Sequence, residues 1–235
     1  LKEGRNLPAL TAATVLEALR AQREGLALGL GKDAPVAPRT TPKDAFDALL
    51  LPGTVVELSS LPGAGALTLA LLLLAEAHRR ARVAGRPAYL CAVDPSRTLH
   101  APAVASLLGP RDVALRDLVV LQPDRERLLR TAVRAKRCGA FAGVLVDAGA
   151  VNDVAGDGFV HGVRRLALAA EEHDGFAVLL TSRRARRGLP LPVAARALVE
   201  GAVVDGRGEI RVSFLRHKYG NLPRLVVHEP SGVSA

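Results

Sequence analysis

The residues whose types and spacing come closest to chemistry are 60–68, Ser-Leu-Pro-Gly-Ala-Gly-Ala-Leu-Thr. A predicted strand over 54–58 precedes them and a long predicted helix over 66–84 follows. Strand, glycine-rich loop and helix is the arrangement that turns backbone N–H groups toward a phosphate at a helix N-terminus. The full chemistry needs GxxxxGK[ST], in which the lysine reaches the terminal phosphates and the hydroxyl ligates magnesium. Gly63 and Gly65 supply the loop, with Gly65 at the place of the last glycine. Ala66 stands at the lysine position and Leu67 at the Ser/Thr position. Thr68 is one place late, and one helical step turns a side chain by about 100°. Asp147 ends a predicted strand, where it could position magnesium or simply cap a turn. These residues make a degenerate nucleotide site, for which no cofactor is expected.

Basic residues form three further clusters. Arg183, Arg184, Arg186 and Arg187 follow a predicted strand over 176–181. In a parallel sheet this is the edge where ligand-binding loops gather, and the guanidinium forks suit phosphate. Arg127, Arg130, Arg134 and Arg137 are spaced three, four and three apart on a predicted helix, which makes one stripe. That stripe reads as the wet face of an amphipathic helix. Arg216-His217-Lys218 ends or follows a late strand and reads as a phosphate contact or as plain solvated charge. The histidines show no ligand-spaced pair, and no metal site is expected.

Composition bounds the classes. The chain has 235 residues, 49% hydrophobic and 23% charged, enough apolar material for a core that offsets ordering entropy. Its net charge of +9 points to anionic partners, nucleic acid first. Only 3% is aromatic, which argues against a base-stacking platform. The longest apolar run, Leu67 to Ala75, is far short of the roughly 20 residues of a membrane span, so no membrane partner is expected. Cys91 and Cys138 read as buried, reduced thiols of a cytoplasmic protein, and residues 1–6 carry no apolar signal core.

The elements that must position these residues fall in two parts. Residues 1–45 read as a helical arm and linker, with Thr14 and Glu17 as a capping box and a stretch rich in Pro, Lys, Asp and Thr after residue 30. Residues 46–235 read as one core domain. Strands are expected at 54–58, 87–93, 118–121, 141–146 and 176–181, alternating with helices at 66–84, 99–108, 124–138 and 158–172. Apolar strands alternating with helices predict an α/β fold with a mainly parallel sheet covered on both faces. A last pair of strands, 209–215 and 223–228 around a turn at Tyr219-Gly220-Asn221, reads as an antiparallel addition.

Glu57, the altered loop, Asp94, Leu121-Gln122-Pro123-Asp124 and the run LVDA at 145–148 occur in the order of a RecA-type recombinase core, which residues 50–220 resemble. That resemblance implies a RecA-like fold and puts Ser96 where the family carries the glutamate that activates water. Ser is no general base at neutral pH without an activating neighbour. It also implies a DNA-binding loop at the 183–187 cluster and an interface role for Arg216 and Lys218. Within these relatives, Leu99 to Gly109, Arg164 to Glu171 and Pro192 to Arg196 are similar to the ImuA family of RecA-like mutasome accessory proteins. The implied function is non-enzymatic: DNA-damage-induced mutagenesis and translesion synthesis in the SOS response. The implied partners are an ImuB-like Y-family polymerase relative, an error-prone polymerase α subunit, RecA and DNA. Two other readings stand beside it. One is an ATP-binding recombinase-like ATPase in which Thr68, Arg216 or Lys218 replaces the lost groups. The other is a cell-division inhibitor of the SulA type.

Overall fold

The computed structural model describes residues 47, 49–151, 156–185, 191–204, 207–218 and 225–228. The expected arm and linker, Arg186, Arg187 and the turn at 219–221 lie outside the described residues.

Eight strands form one sheet in the order β3-β2-β4-β5-β1-β6-β7-β8. They are β1 (Thr54–Ser60), β2 (Tyr89–Val93), β3 (Leu118–Leu121), β4 (Phe141–Ala148), β5 (Phe176–Ser182), β6 (Ala195–Val204), β7 (Arg207–His217) and β8 (Leu225–His228). From β3 through β6 every neighbouring pair is parallel. β7 and β8 are antiparallel additions at the far edge. The fold is therefore α/β, with a mainly parallel sheet flanked by helices and antiparallel strands at the C-terminal end.

The central strands carry apolar residues on both faces, as burial on both sides requires. Val55, Val56, Leu58, Val144, Leu145, Val146, Val178 and Leu179 are all buried. On one face α1 (Ala66–Val83) and α2 (Ala101–Leu108) cover the sheet. A Cβ on Gly143 of β4 would come within 2.5 Å of Leu74 Cδ2, so α1 closes on the sheet where β4 has no side chain. On the other face lie α3 (Leu128–Arg137) and α4 (Asp157–Glu172), packed over Val55, Val144, Val146, Ala177 and Leu179. Arg80 and Arg82 close α1, the favourable end of the helix dipole for cations.

Within the described residues the expected elements agree with the structure, their ends aside, except at two places. The helix expected over 124–138 begins as a 3-10 turn, Arg125–Arg127, before α3. β6 was not expected at all. Its sequence, ARALVEGAVV, carries two charges and a glycine, which hides a strand. Yet Ala195, Ala197 and Val199 are buried while Arg196, Leu198 and Glu200 between them are less so, the period of two of a half-covered strand.

Candidate functional site

The loop at 61–65 leaves the C-terminal edge of β1 and enters α1. Gly63 and Gly65 have φ of +77° and +79°, a left-handed geometry that glycine adopts without steric cost. The Ala64 N–H donates to Leu61 O at 3.3 Å, and Gly65 O accepts the first helical bond from Leu69 N at 2.9 Å. Ala66 is buried as the first residue of α1, and Leu67 packs against the core. Thr68 is partly buried. No cationic or hydroxyl side chain therefore stands at the first two positions of the helix.

The β6–β7 pair covers the loop. A Cβ on Gly65 would lie 2.9 Å from Ile210 Cγ1, and one on Gly201 would lie 3.3 Å from Ala64 Cα. A cleft of about 540 Å³ remains between loop and strands, and its charged lining residues are Arg183, Glu200 and Glu209. Arg183 Nη1 donates to Glu200 Oε1 at 3.1 Å, and Arg211 Nη2 stands 3.5 Å from Glu209 Oε2. Among the described residues the cleft thus pairs its one lining cation with a carboxylate. An incoming phosphate would meet ion pairs already formed where a phosphate loop normally offers a lysine.

Asp94 and Asp147 stand at the same edge, at the ends of β2 and β4, and Thr98 lies between them. Asp94 is 1% exposed; its Oδ2 accepts from the Leu99 N–H at 2.9 Å and its Oδ1 lies 3.3 Å from Thr98 Oγ1. Thr98 Oγ1 is also 3.2 Å from Asp147 Oδ2, while Asp147 Oδ1 accepts from Gly149 N at 2.9 Å. Both carboxylates thus shape the loops they begin. Ser96 lies in the first of these loops, with its Oγ buried and without a hydrogen-bond partner.

The basic clusters are not brought to one place. Arg183 and Arg184 are exposed beyond β5, where Arg183 N donates to Ser60 O at 2.7 Å and Arg184 N to Ser182 Oγ at 3.1 Å. Arg216 is opposite Arg196 in the β6–β7 register, and Lys218 N donates to Ala194 O at 2.7 Å. β7 runs against β6, so its end lies toward the start of the parallel strands, away from the loop edge. The strand spacings put Arg216 and Lys218 about 20 Å from the loop within one chain. Arg127, Arg130, Arg134 and Arg137 are all exposed.

The sequence showed neither the buried pairing of Glu57 nor the burial of Lys136. Glu57 in β1 is 0% exposed; its Oε1 accepts from Thr181 Oγ1 at 2.6 Å and its Oε2 faces Arg196 Nε at 3.4 Å. Its pairing across β5 and β6 has no local signature. Lys136, 1% exposed, donates from Nζ to Phe141 O at 2.6 Å and fills the space beside Gly175. Cys91 is buried as expected, and burial pushes its thiol up to about 12. Cys138 is exposed, a correction: it follows the last turn of α3, where the chain turns to the surface.

No family model and no curated protein sequence matches the chain. Among solved structures it is similar to the RadB recombinase, with a TM-score of 0.57 and 14% identity over 76% of this chain and 87% of that one. The fold is RecA-like. A KaiC-like protein of the archaeon Pyrococcus horikoshii is also similar, with a TM-score of 0.51 and 12% identity over 76% of this chain and 90% of that one. The altered loop therefore occupies, in a RecA-like sheet, the strand-to-helix turn after β1. Among the described residues no helix is long and apolar enough to cross a membrane, and no group of three potential metal ligands occurs.

Proposed function

We propose that this chain is a RecA-like protein that works without nucleotide, as a non-catalytic accessory factor in DNA-damage-induced mutagenesis and translesion synthesis, in the manner of the ImuA family. The observation that carries this reading is the loop. Ala66 and Leu67 open α1 with no lysine and no hydroxyl, and Ile210 is seated on Gly65. The neighbouring cleft is lined by a paired Arg183 and two carboxylates. Ser96 at the position of the water-activating glutamate points the same way. What the fold retains is its surface, which on this reading serves an ImuB-like polymerase relative, a polymerase α subunit, RecA and DNA.

Calorimetric titration with ATP and magnesium tests the central claim. The expected outcome is no hydrolysis above background and no binding tighter than about millimolar, which corresponds to roughly 4 kcal/mol. A micromolar dissociation constant would overturn it in favour of an ATP-binding recombinase-like protein. Co-purification of the chain with polymerase subunits, set against a tubulin-like division protein, separates the mutagenesis reading from the cell-division inhibitor.

A further inference from the structure

Several arginines of this protein are held by carboxylates. Arg79 and Arg80 bind Glu76, Arg80 also binds Asp47, Arg86 binds Asp174 and Arg183 binds Glu200. The layer of α3 and α4 gathers the densest cluster of arginines without such a partner. Arg127, Arg130, Arg134, Arg164 and Arg165 are exposed, and among the described residues none makes an ion pair or side-chain hydrogen bond. Arg137 reaches Glu172 only at 3.7 Å. Among the described residues Arg82, Arg97, Arg116, Arg184 and Arg216 also lack a carboxylate but are scattered, whereas Arg130, Arg134, Arg164 and Arg165 share two adjacent helices and Arg125 and Arg127 lie in the 3-10 turn that leads into α3.

The packing makes one surface of the two helices. A Cβ on Gly162 would come within 2.5 Å of Leu129 Cδ1, so α4 lacks a side chain where α3 inserts one. Leu129 against Gly162 and Arg137 against Glu172 mean that the helices run side by side in the same direction. At about 100° per residue, Arg130 and Arg137 stand on the side of α3 that carries Leu129, and Arg165 on the side of α4 that carries Gly162. Arg130 and Arg165 therefore flank the outer seam, Arg137 meets Glu172 at its far end, and Arg127, Arg134 and Arg164 stand farther out on the same exposed layer. The acidic residues of α4 sit at its ends: Asp157 in its first turn, Glu171 and Glu172 in its last.

We infer that the α3–α4 face binds the phosphate backbone of nucleic acid. The stripe from Arg127 to Arg137 rises by about 15 Å, a length that covers about four phosphates at their axial spacing of about 3.4 Å. Guanidinium groups free of internal carboxylates can each meet a phosphate in bidentate fashion. Among the described residues the two helices expose no Phe, Tyr or Trp, and His161 is their one exposed ring, so the contact is chiefly to backbone rather than to bases and carries little sequence preference. This inference deepens the proposed function by assigning its nucleic-acid surface. It moves that surface from the loop after β5, where Arg183 is engaged by Glu200, to the opposite layer of helices. It does not depend on the absence of nucleotide binding.

The test is fluorescence anisotropy of a labelled, mixed-sequence single-stranded oligonucleotide at several salt concentrations. Four proteins are compared with the parent. One carries Arg130→Gln, Arg134→Gln, Arg164→Gln and Arg165→Gln. A second carries Lys at the same four positions. A charge-matched control carries Arg79→Gln, Arg82→Gln, Arg86→Gln and Arg116→Gln, and a fourth carries Arg183→Gln and Arg184→Gln. The expected result is an affinity loss of about tenfold or more for the first, with a flatter salt dependence because fewer counterions are released. The Lys version, which keeps the charge but not the fork, falls between the first variant and the parent, and both other variants stay within about threefold of the parent. Equal losses in the first protein and the charge-matched control would overturn the assignment, since net charge alone would then explain binding. A larger loss in the Arg183/Arg184 variant would return the site to the loop after β5. No binding by the parent at low salt would also overturn it and leave the face to an acidic protein partner.

Discussion

Lys136 holds an ammonium-bearing side chain at 1% exposure on the core side of α3, with one hydrogen bond to Phe141 O. Burial lowers its pKa from 10.5 to about 8, with Arg86 adding to the shift while Cys138 and Asp174 oppose it. Between about 8 and 10.5 the unfolded chain holds a proton that the folded chain has released. Stability attributable to this group therefore rises with pH across that window, and the full penalty is present below it. Lys136→Met removes the penalty and the hydrogen bond together. It should raise the urea midpoint near pH 7 relative to the parent, and the advantage should shrink as the pH approaches 10. A shift of this size corresponds to about 3 kcal/mol before the lost hydrogen bond is subtracted. A midpoint difference that does not change with pH would show that Lys136 is not titrating in the folded state. At Gly65 the constraint is backbone geometry. Its φ of +79° and the approach of Ile210 should make Gly65→Ala destabilising by about 2–4 kcal/mol. Trimming Ile210 to Val should recover part of that loss in a double-mutant cycle, because only the steric share is relieved.

At the scale of elements, the loop after β1 and the β6–β7 pair act together. Introducing Ala66→Lys and Leu67→Ser would complete the local motif but not its setting, since Glu200 and Glu209 still line the cleft. A like charge at short range costs a phosphate about 1–3 kcal/mol. The double variant should therefore bind ATP weakly, and adding Glu200→Gln and Glu209→Gln should tighten it by about tenfold or more in calorimetry. Tight binding by the double variant alone would show that the β6–β7 wall is permissive. The same pairing of elements explains why β6 escaped sequence reasoning. Its charges Arg196 and Glu200 interrupt the apolar pattern, and their partners, Glu57 and Arg183, lie on or just beyond β1 and β5.

For the whole molecule, the two cysteines report on folding from opposite environments. Cys91 sits in the centre of β2 at 0% exposure with its thiol pushed up to about 12, whereas Cys138 is exposed just after α3. A thiol reagent at neutral pH should modify one cysteine per folded chain at once and the second only on unfolding. Rapid modification of both in native buffer would mean that the sheet opens locally at β2. The readout also certifies the fold of the arginine and loop variants, since each should keep Cys91 protected.

The sequence by itself determined much of what is local. The alternation of apolar strands with helices specified the α/β class, because period and run length are set by neighbours along the chain. That Ala66 and Leu67 follow the loop, with neither lysine nor hydroxyl, was legible in the sequence because the motif is contiguous. Tertiary structure alone decided what depends on strand order. It placed Arg183 and Arg216 toward opposite ends of the sheet, because β7 reverses direction against β6. It joined Glu57 to Thr181 and Arg196, residues more than a hundred positions away. It buried Lys136 in a stripe-bearing helix that otherwise reads as solvated, since the absence of a side chain at Gly175 makes room for it. It set α3 beside α4, so that two separate runs of arginine became one surface. Contacts between distant segments follow from which strands become neighbours, and no spacing along the chain records that.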